Sequence, residues 1–158
     1  MNNQDTVLPL KRAYQEFVDL IRSLSDEQFL APMNGWAPRD VTAHLIGWNN
    51  FMIEASSTIL AGKTPTYYED APNDFSTINA GFTAKYASRS KQELLDELKA
   101  SMERLEAFVL GLPPGELEND HRARHYRGGP ATVGKTIVSL AGDYRHHTLE
   151  INEWLNKN

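Results

Sequence analysis

The 158-residue chain is predicted to be all-α, a four-helix bundle with an extra short helix and a long crossover loop. Two observations predict this. Apolar residues recur at spacings of three and four along four long stretches, the period of an amphipathic helix, and no stretch alternates apolar with polar residues as a half-buried strand does. A third observation bounds the size. With 41% apolar and 23% charged residues and no internal repeat, residues 1–158 read as a single domain long enough to bury a core.

The first helix is placed at about Asp5–Leu24, with Val7, Leu10, Tyr14, Phe17, Val18, Ile21 and Leu24 as its stripe. Asp5 or Thr6 can cap it, and Pro9 then falls in the first turn, where a missing N–H costs little. Ser25-Asp26-Glu27 restarts a short turn expected to carry Phe29 and Leu30 into the core, and residues 31–35 form a loop. Pro38, favoured at a first helical position, opens a helix that runs to about Ala61 before Gly62 stops it. Its stripe is Val41, Leu45, Trp48, Met52, Ala55 and Ile59, and His44 lies on the same side.

Lys63 to Asn73 is a polar connection with two prolines, in which Tyr67 and Tyr68 could line a cavity. A short helix from Asp74 spaces Phe75, Ile78, Phe82 and Tyr86. Ser90 and Glu93 form a capping box for a helix to about Leu112, with Leu94, Leu98, Met102, Leu105, Phe108 and Leu112 on one side. Pro113-Pro114-Gly115 ends it. Glu116 to Ala131 is the longest irregular stretch and, from His121 to Pro130, the one locally basic segment of an acidic chain. Loops of this length are usually functional or mobile. It is either a flap that brings an arginine such as Arg124 to an anionic substrate group or an exposed connection with ordinary surface arginines. Thr132 can cap the last helix, which runs to Leu155.

The net charge of −5 argues against nucleic acid and anionic membranes as partners. The absence of Cys excludes disulfides, thiolate nucleophiles and Cys-ligated metals, so any metal must use His, carboxylate or water. No signal pattern begins the chain and no apolar run reaches the roughly 18–20 residues of a membrane span, so a cytoplasmic location is expected.

On the last helix Asp143 and His147 lie four apart, one turn from each other on an inward face. A carboxylate and an imidazole there need a partner, and His44 is the candidate. Two His and one carboxylate converging from two helices make a three-ligand metal site with open positions. The alternative is a core His44 satisfied by one hydrogen bond. His146 points about 100° away round the helix and reads as peripheral.

The stretch Gly35-Trp36-Ala37-Pro38-Arg39-Asp40-Val41-Thr42-Ala43-His44-Leu45-Ile46-Gly47-Trp48 resembles the DinB/YfiT-like superfamily, as does the ending Asp143-Tyr144-Arg145-His146-His147 with Glu150-Ile151. The Leu-Ile-Gly-Trp run, the segment from Asn73 to Tyr86 and the terminal Tyr-x-x-His-x-x-x-Ile-x-x-Trp are similar to its ClbS/DfsB branch. The resemblance implies metal ligation by His44, Asp143 and His147, with Asp143 standing where the family usually has His. A carboxylate there shifts preference towards Fe, Mn or Zn and away from a three-His Ni or Zn site, or Asp143 simply hydrogen-bonds a histidine. The implied activity is that of a metal-dependent hydrolase or thiol-dependent transferase on a small electrophilic molecule, in stress or toxin resistance. Asp143 and His147 are its acid–base candidates, and Trp48, Tyr144, Glu150 and Arg124 its substrate pocket. The family also implies a homodimer through helix faces. Two other readings stand beside this one: a non-catalytic protein that sequesters a small molecule, and an interaction protein with a vestigial triad.

Overall fold

Asn2 and Asp5 start the first helix earlier than expected. The Asn2 side chain accepts the Asp5 N–H at 2.8 Å and the Asp5 carboxylate accepts the Asn2 N–H at 3.3 Å, a reciprocal cap. The computed structural model describes residues 2–69 and 75–158, and this first helix is α1 (Asn3–Ser23). Pro9 therefore sits beyond the first turn, inside the helix, a correction that follows from the cap lying upstream of Asp5. Ser25 caps the five-residue α2 (Asp26–Leu30). So short a helix offers one inward position. Phe29 takes it, and Leu30, expected in the core, is 59% exposed.

Pro38 begins α3 (Pro38–Leu60), with the Asp40 carboxylate accepting the Ala37 N–H at 2.9 Å. Gly62, at φ +78, supplies the left-handed turn that ends it. A 3-10 turn, Thr66–Glu69, follows. The expected helix start at Asp74 and the loop residues 70–73 lie outside the described residues; α4 is seen from Ser76 to Lys85. Ser90 and Glu93 cap α5 (Lys91–Leu110) as the sequence suggests. Near its end Val109 is the buried residue, while Phe108 and Leu112 are half-buried. The connection to α6 is irregular but tied down. Leu117, Ala123 and Ala131 are buried, Arg124 and Pro130 form an isolated antiparallel bridge, and the Gly134 N–H donates to the Leu117 carbonyl at 2.8 Å. Thr132 then caps α6 (Val133–Lys157).

The four long helices form a ring in which α1 and α3 each pack against both α5 and α6. Helix α3 is covered by α5, α6, α4 and α2, which is why it buries polar residues as well as an apolar stripe. Tyr144 donates to Asn49 Oδ1 at 2.9 Å, and Asn49 donates to Ser101 Oγ at 3.0 Å, a satisfied chain through α6, α3 and α5. Ser56 and Thr136 meet at 3.4 Å. Ascending numbers on α3 thus face descending numbers on α6, so the two run antiparallel, and His44 arrives opposite Asp143. Among the described residues no strand is present and no helix is long and apolar enough to cross a membrane.

Helix α4 buries no residue wholly and docks on α3. The Phe82 ring fills the notch at Gly47, where a Cβ would overlap it, and Arg39 donates to the Ala87 carbonyl just past the α4 end. Gly47→Ala is expected to lower the unfolding free energy by about 1–3 kcal/mol through overpacking. In urea titrations the Gly47→Ala/Phe82→Ala double variant should cost less than the sum of the singles, since the clash goes with the ring. Strict additivity would show that Phe82 does not occupy the notch.

Candidate metal centre and its cavity

His44 reaches the α3–α6 interface from the second turn of α3, and Asp143 and His147 reach it from α6. His44 Nε2 lies 2.9 Å from Asp143 Oδ2, and His147 Nε2 lies 3.2 Å from Asp143 Oδ1, so each carboxylate oxygen faces one imidazole. The histidines are 5% and 8% exposed, and Asp143 is half-buried. The Trp36 ring, from the loop before α3, lies 5.1 Å from His44 and 6.4 Å from His147 between centroids and covers them.

The outer nitrogens are held as well. Asn79 Oδ1, on α4, lies 3.0 Å from His44 Nδ1 and accepts the Trp48 indole N–H at 2.7 Å. An indole N–H can only donate, so the atom it meets is the amide oxygen, and His44 Nδ1 must carry the hydrogen it shares with that oxygen. His147 Nδ1 lies 3.4 Å from Glu150 Oε1, another acceptor. With Nδ1–H so engaged, each neutral imidazole turns a lone pair on Nε2 towards the carboxylate. Lone pair against carboxylate oxygen at 2.9 Å is repulsive unless a cation, either a proton or a metal ion, stands between them.

The cluster fits a metal on its own chemistry. The three donor atoms lie within 4.8 Å of one another. Two imidazole nitrogens and a carboxylate suit Zn, Fe or Mn, and the acceptors behind both Nδ1 atoms are the usual outer partners of metal-bound histidine. Among the described residues His146, His147 and Glu150 form a second, more exposed cluster that shares His147 with the first.

The electrostatics reinforce the pairing. Burial opposes charge on Asp143, but hydrogen bonds from His147 and His44 outweigh it and hold the carboxyl well below the usual carboxylate range. Burial likewise opposes charge on His147, yet Asp143, and behind it Glu150, raise the imidazole above its ordinary 6.5.

Beside the cluster opens a cavity of about 430 Å³. His44, Asn79 and Asp143 stand at one end, Trp48, Tyr67 and Phe75 form walls, and His125, Tyr126 and Lys135 lie towards the other end. Trp48 lines it as expected, and so do Tyr67 and Tyr68. Tyr144 does not. It is fully buried in the core, packed edge-on to Tyr14 and Phe17 of α1 and bonded to Asn49 of α3. Arg124 is exposed and outside the lining, whereas its neighbours His125 and Tyr126 contribute to it. Glu150 stands behind His147 and not in the cavity, whereas His146, read as peripheral, contributes to the lining. Sequence reading missed Asn79 and Lys135. The signal for Asn79 was an amide between Phe75 and Phe82 on the apolar side of α4, which needs a partner if buried.

Together, bundle and cluster define a class: helical proteins that bring two imidazoles and a carboxylate to one end of an aromatic cavity. Residues 10–151 match the model of the DinB superfamily, and the chain belongs to that superfamily. None of the curated proteins matches it. The fold is similar to that of the colibactin self-resistance protein ClbS, solved in complex with a dsDNA, at 18% identity and TM-score 0.79 over 98% of this chain and 95% of that one. It is also similar to DfsB, described as a sibling lethal factor precursor, at 18% identity and TM-score 0.80 over 99% and 96%. A protein from Streptococcus pneumoniae matches at 17% identity and TM-score 0.78 over 99% and 91%.

The ClbS complex corrects the expectation that nucleic acid is excluded as a partner. Net charge averages over a whole surface, and a protein of this fold carries dsDNA. Here Arg122, Arg124 and Arg127 are all exposed on one loop.

The two shifts set a pH window for the metal-free protein. Asp143 is depressed, so its contribution to stability is full above its ordinary 3.8 and is lost as pH falls through the folded value. His147 is raised, so its contribution is full below 6.5 and is lost as pH rises through the folded value. The stability gap between the wild type and Asp143→Asn, followed by urea midpoint with a chelator present, should be widest between 3.8 and 6.5 and narrow on both sides. A gap constant with pH would refute the pairing.

Proposed function

We propose that this DinB-superfamily chain is a metal-dependent enzyme, a hydrolase or transferase, acting on a small electrophilic molecule held in the cavity. The observation that carries this reading is the cluster itself: Asn79 and Glu150 behind the imidazoles leave His44 Nε2, His147 Nε2 and Asp143 converging on a point that demands a cation. His44, Asp143 and His147 are the proposed ligands. A divalent ion held by them supplies Lewis acidity and activates water at neutral pH.

The chain's own residues supply the rest. Trp36 shields the histidines from bulk water. Burial, with the hydrogen bond to Tyr68, raises Tyr67 far above the usual range, so its hydroxyl keeps its proton as a donor at the cavity wall. Glu150 orients His147, and only in a metal-free site would Asp143 and His147 serve instead as an acid–base pair beside the cavity. The self-resistance role of ClbS makes protection from a reactive small molecule the natural setting. An aromatic cavity of this size would also serve a protein that sequesters such a molecule without turning it over.

Elemental mass spectrometry on protein purified without an affinity tag should find about one divalent ion per chain, lost in both His44→Ala and Asp143→Ala. If the wild type stays metal-free even after reconstitution with Zn, Mn, Fe or Ni, the metalloenzyme reading fails and sequestration takes its place.

A second reading concerns where the substrate is met. The dsDNA in the ClbS structure and the three exposed arginines of the 121–127 loop favour contact with duplex DNA. Fluorescence anisotropy with a labelled duplex should then show binding that weakens with salt and with the Arg122→Gln/Arg124→Gln/Arg127→Gln variant. No binding at about 50 mM salt would discard it.

A further inference from the structure

The cavity is electrically lopsided along the axis of α6. Lys135, Ser139 and Asp143 all line it, and they are spaced four apart, so they form one strip along a single face of the helix. The strip runs about 12 Å, at 1.5 Å per residue. It begins at a cation and ends at the carboxylate already engaged by two imidazoles.

Around Lys135 the surroundings are basic. Its ammonium donates to the Pro130 carbonyl at 2.5 Å, which fixes the side chain against the 121–130 loop and leaves further N–H donors unspent. His125 stands nearby in the same lining, and burial, Lys135 and Arg127 together lower its proton affinity. Two cations therefore act on one imidazole here. Asp143 is the only carboxylate among the described lining residues, and it lies at the far end.

Between the ends the walls are rings. Trp48 meets Tyr67 and Phe75 edge-on at 5.5 and 5.7 Å, and Tyr68 meets His125 and Tyr126 at 5.1 and 5.3 Å, joining the 3-10 turn to the loop. Aromatic cages of this kind elsewhere take cations, but Lys135 at the same wall opposes one. A flat apolar body suits the rings, and an anion suits the rim.

We infer that the cavity selects a small molecule with a flat aromatic or conjugated body and an anionic head, a carboxylate, sulfonate or phosphate, which Lys135 holds about 12 Å from the His44–Asp143–His147 cluster. This deepens the proposed enzyme and rests on it only for the reacting end, since the anion contact needs no metal. Lys135 is the specificity-determining residue.

The test is calorimetric titration of the full-length protein with 2-naphthoate and with 2-naphthylmethanol, which share a body and differ in charge. The acid is expected to bind at least about tenfold tighter than the alcohol, the worth of one charge-assisted hydrogen bond. Lys135→Gln should erase that ratio and leave the alcohol's Kd unchanged, while Lys135→Arg should keep most of it. Equal binding of the two probes, or binding of neither, overturns the inference. So does an acid preference that survives Lys135→Gln but vanishes with chelator or in His44→Ala. That last result would place the carboxylate on a metal and support the enzyme reading while removing the rim's role. An acid preference lost only in Lys135→Gln, in protein that never takes up metal, would uphold the rim and sink the metalloenzyme.

Discussion

The bond from the Trp48 indole to Asn79 decides what the cluster can be. Because that N–H only donates, the amide oxygen of Asn79 is fixed, and with it the hydrogen on His44 Nδ1. His44 Nε2 is then left as a donor of electrons aimed at a carboxylate. One short hydrogen bond on the far side of the ring thus aims a buried histidine's lone pair at Asp143. It also ties the cluster to α4, because Asn79 belongs to that helix. Helix α4 is held by Phe82 over Gly47, by Arg39 and by Asn79 itself. Loss of its docking would free His44 to rotate or change tautomer, so a helix that buries nothing wholly governs the chemistry at the bundle's centre.

The second requirement is register. An apolar stripe tolerates a slip of one helical turn, about 5.4 Å, with modest loss of packing. A contact of 2.9 Å between His44 and Asp143 does not. The chain Tyr144–Asn49–Ser101 removes that freedom, since a slip would leave Asn49 and Tyr144 buried without partners. Tyr144 follows Asp143 directly and points about 100° away from it round α6, into the core between α1 and α3. The helix is therefore held at the residue next to the one that offers its carboxylate. Tyr144, expected as a cavity wall, supports the site by locking it.

The helices were legible because their stripes, capping boxes and stop signals are local, and each depends on residues within one or two turns. The Ser90–Glu93 box and Gly62 fall where the pattern puts them. The His44–Asp143–His147 convergence was legible too, since spacing on α6 places two members together and an inward histidine on α3 supplies the third. What the pattern could not carry was direction across long irregular stretches. Arg124 and His125 are neighbours, yet the histidine lines the cavity and the arginine does not, in a loop tied by the Arg124–Pro130 bridge and by Thr64 rather than by any periodic pattern. Asn79 was missed for a similar reason: its place among apolar residues asks for a partner, but the partners lie 31 and 35 residues away and local pattern does not name them. Leu30 shows the reverse error, an apolar residue given to the core when a five-residue helix had only one place to offer.

The carboxylate at position 143 has a consequence that a third imidazole would not. Three neutral histidines turned inward would repel once protonated, and a metal-free site of that kind would tend to open. Asp143 instead attracts whatever cation is present. Each of its oxygens already faces one imidazole, and it would lend a bound metal a hard oxygen and lower the net charge by one. A metal ion held here would take the same two Nε2 positions that already face the carboxylate. The same economy explains the polarity of the cavity. Asp143 is satisfied within the cluster and has little attraction left for a ligand's cation, whereas Lys135, bonded to a neutral carbonyl, has no carboxylate partner among the described residues. A ligand entering this cavity meets a field that orients its negative end away from the cluster and delivers its opposite end to it.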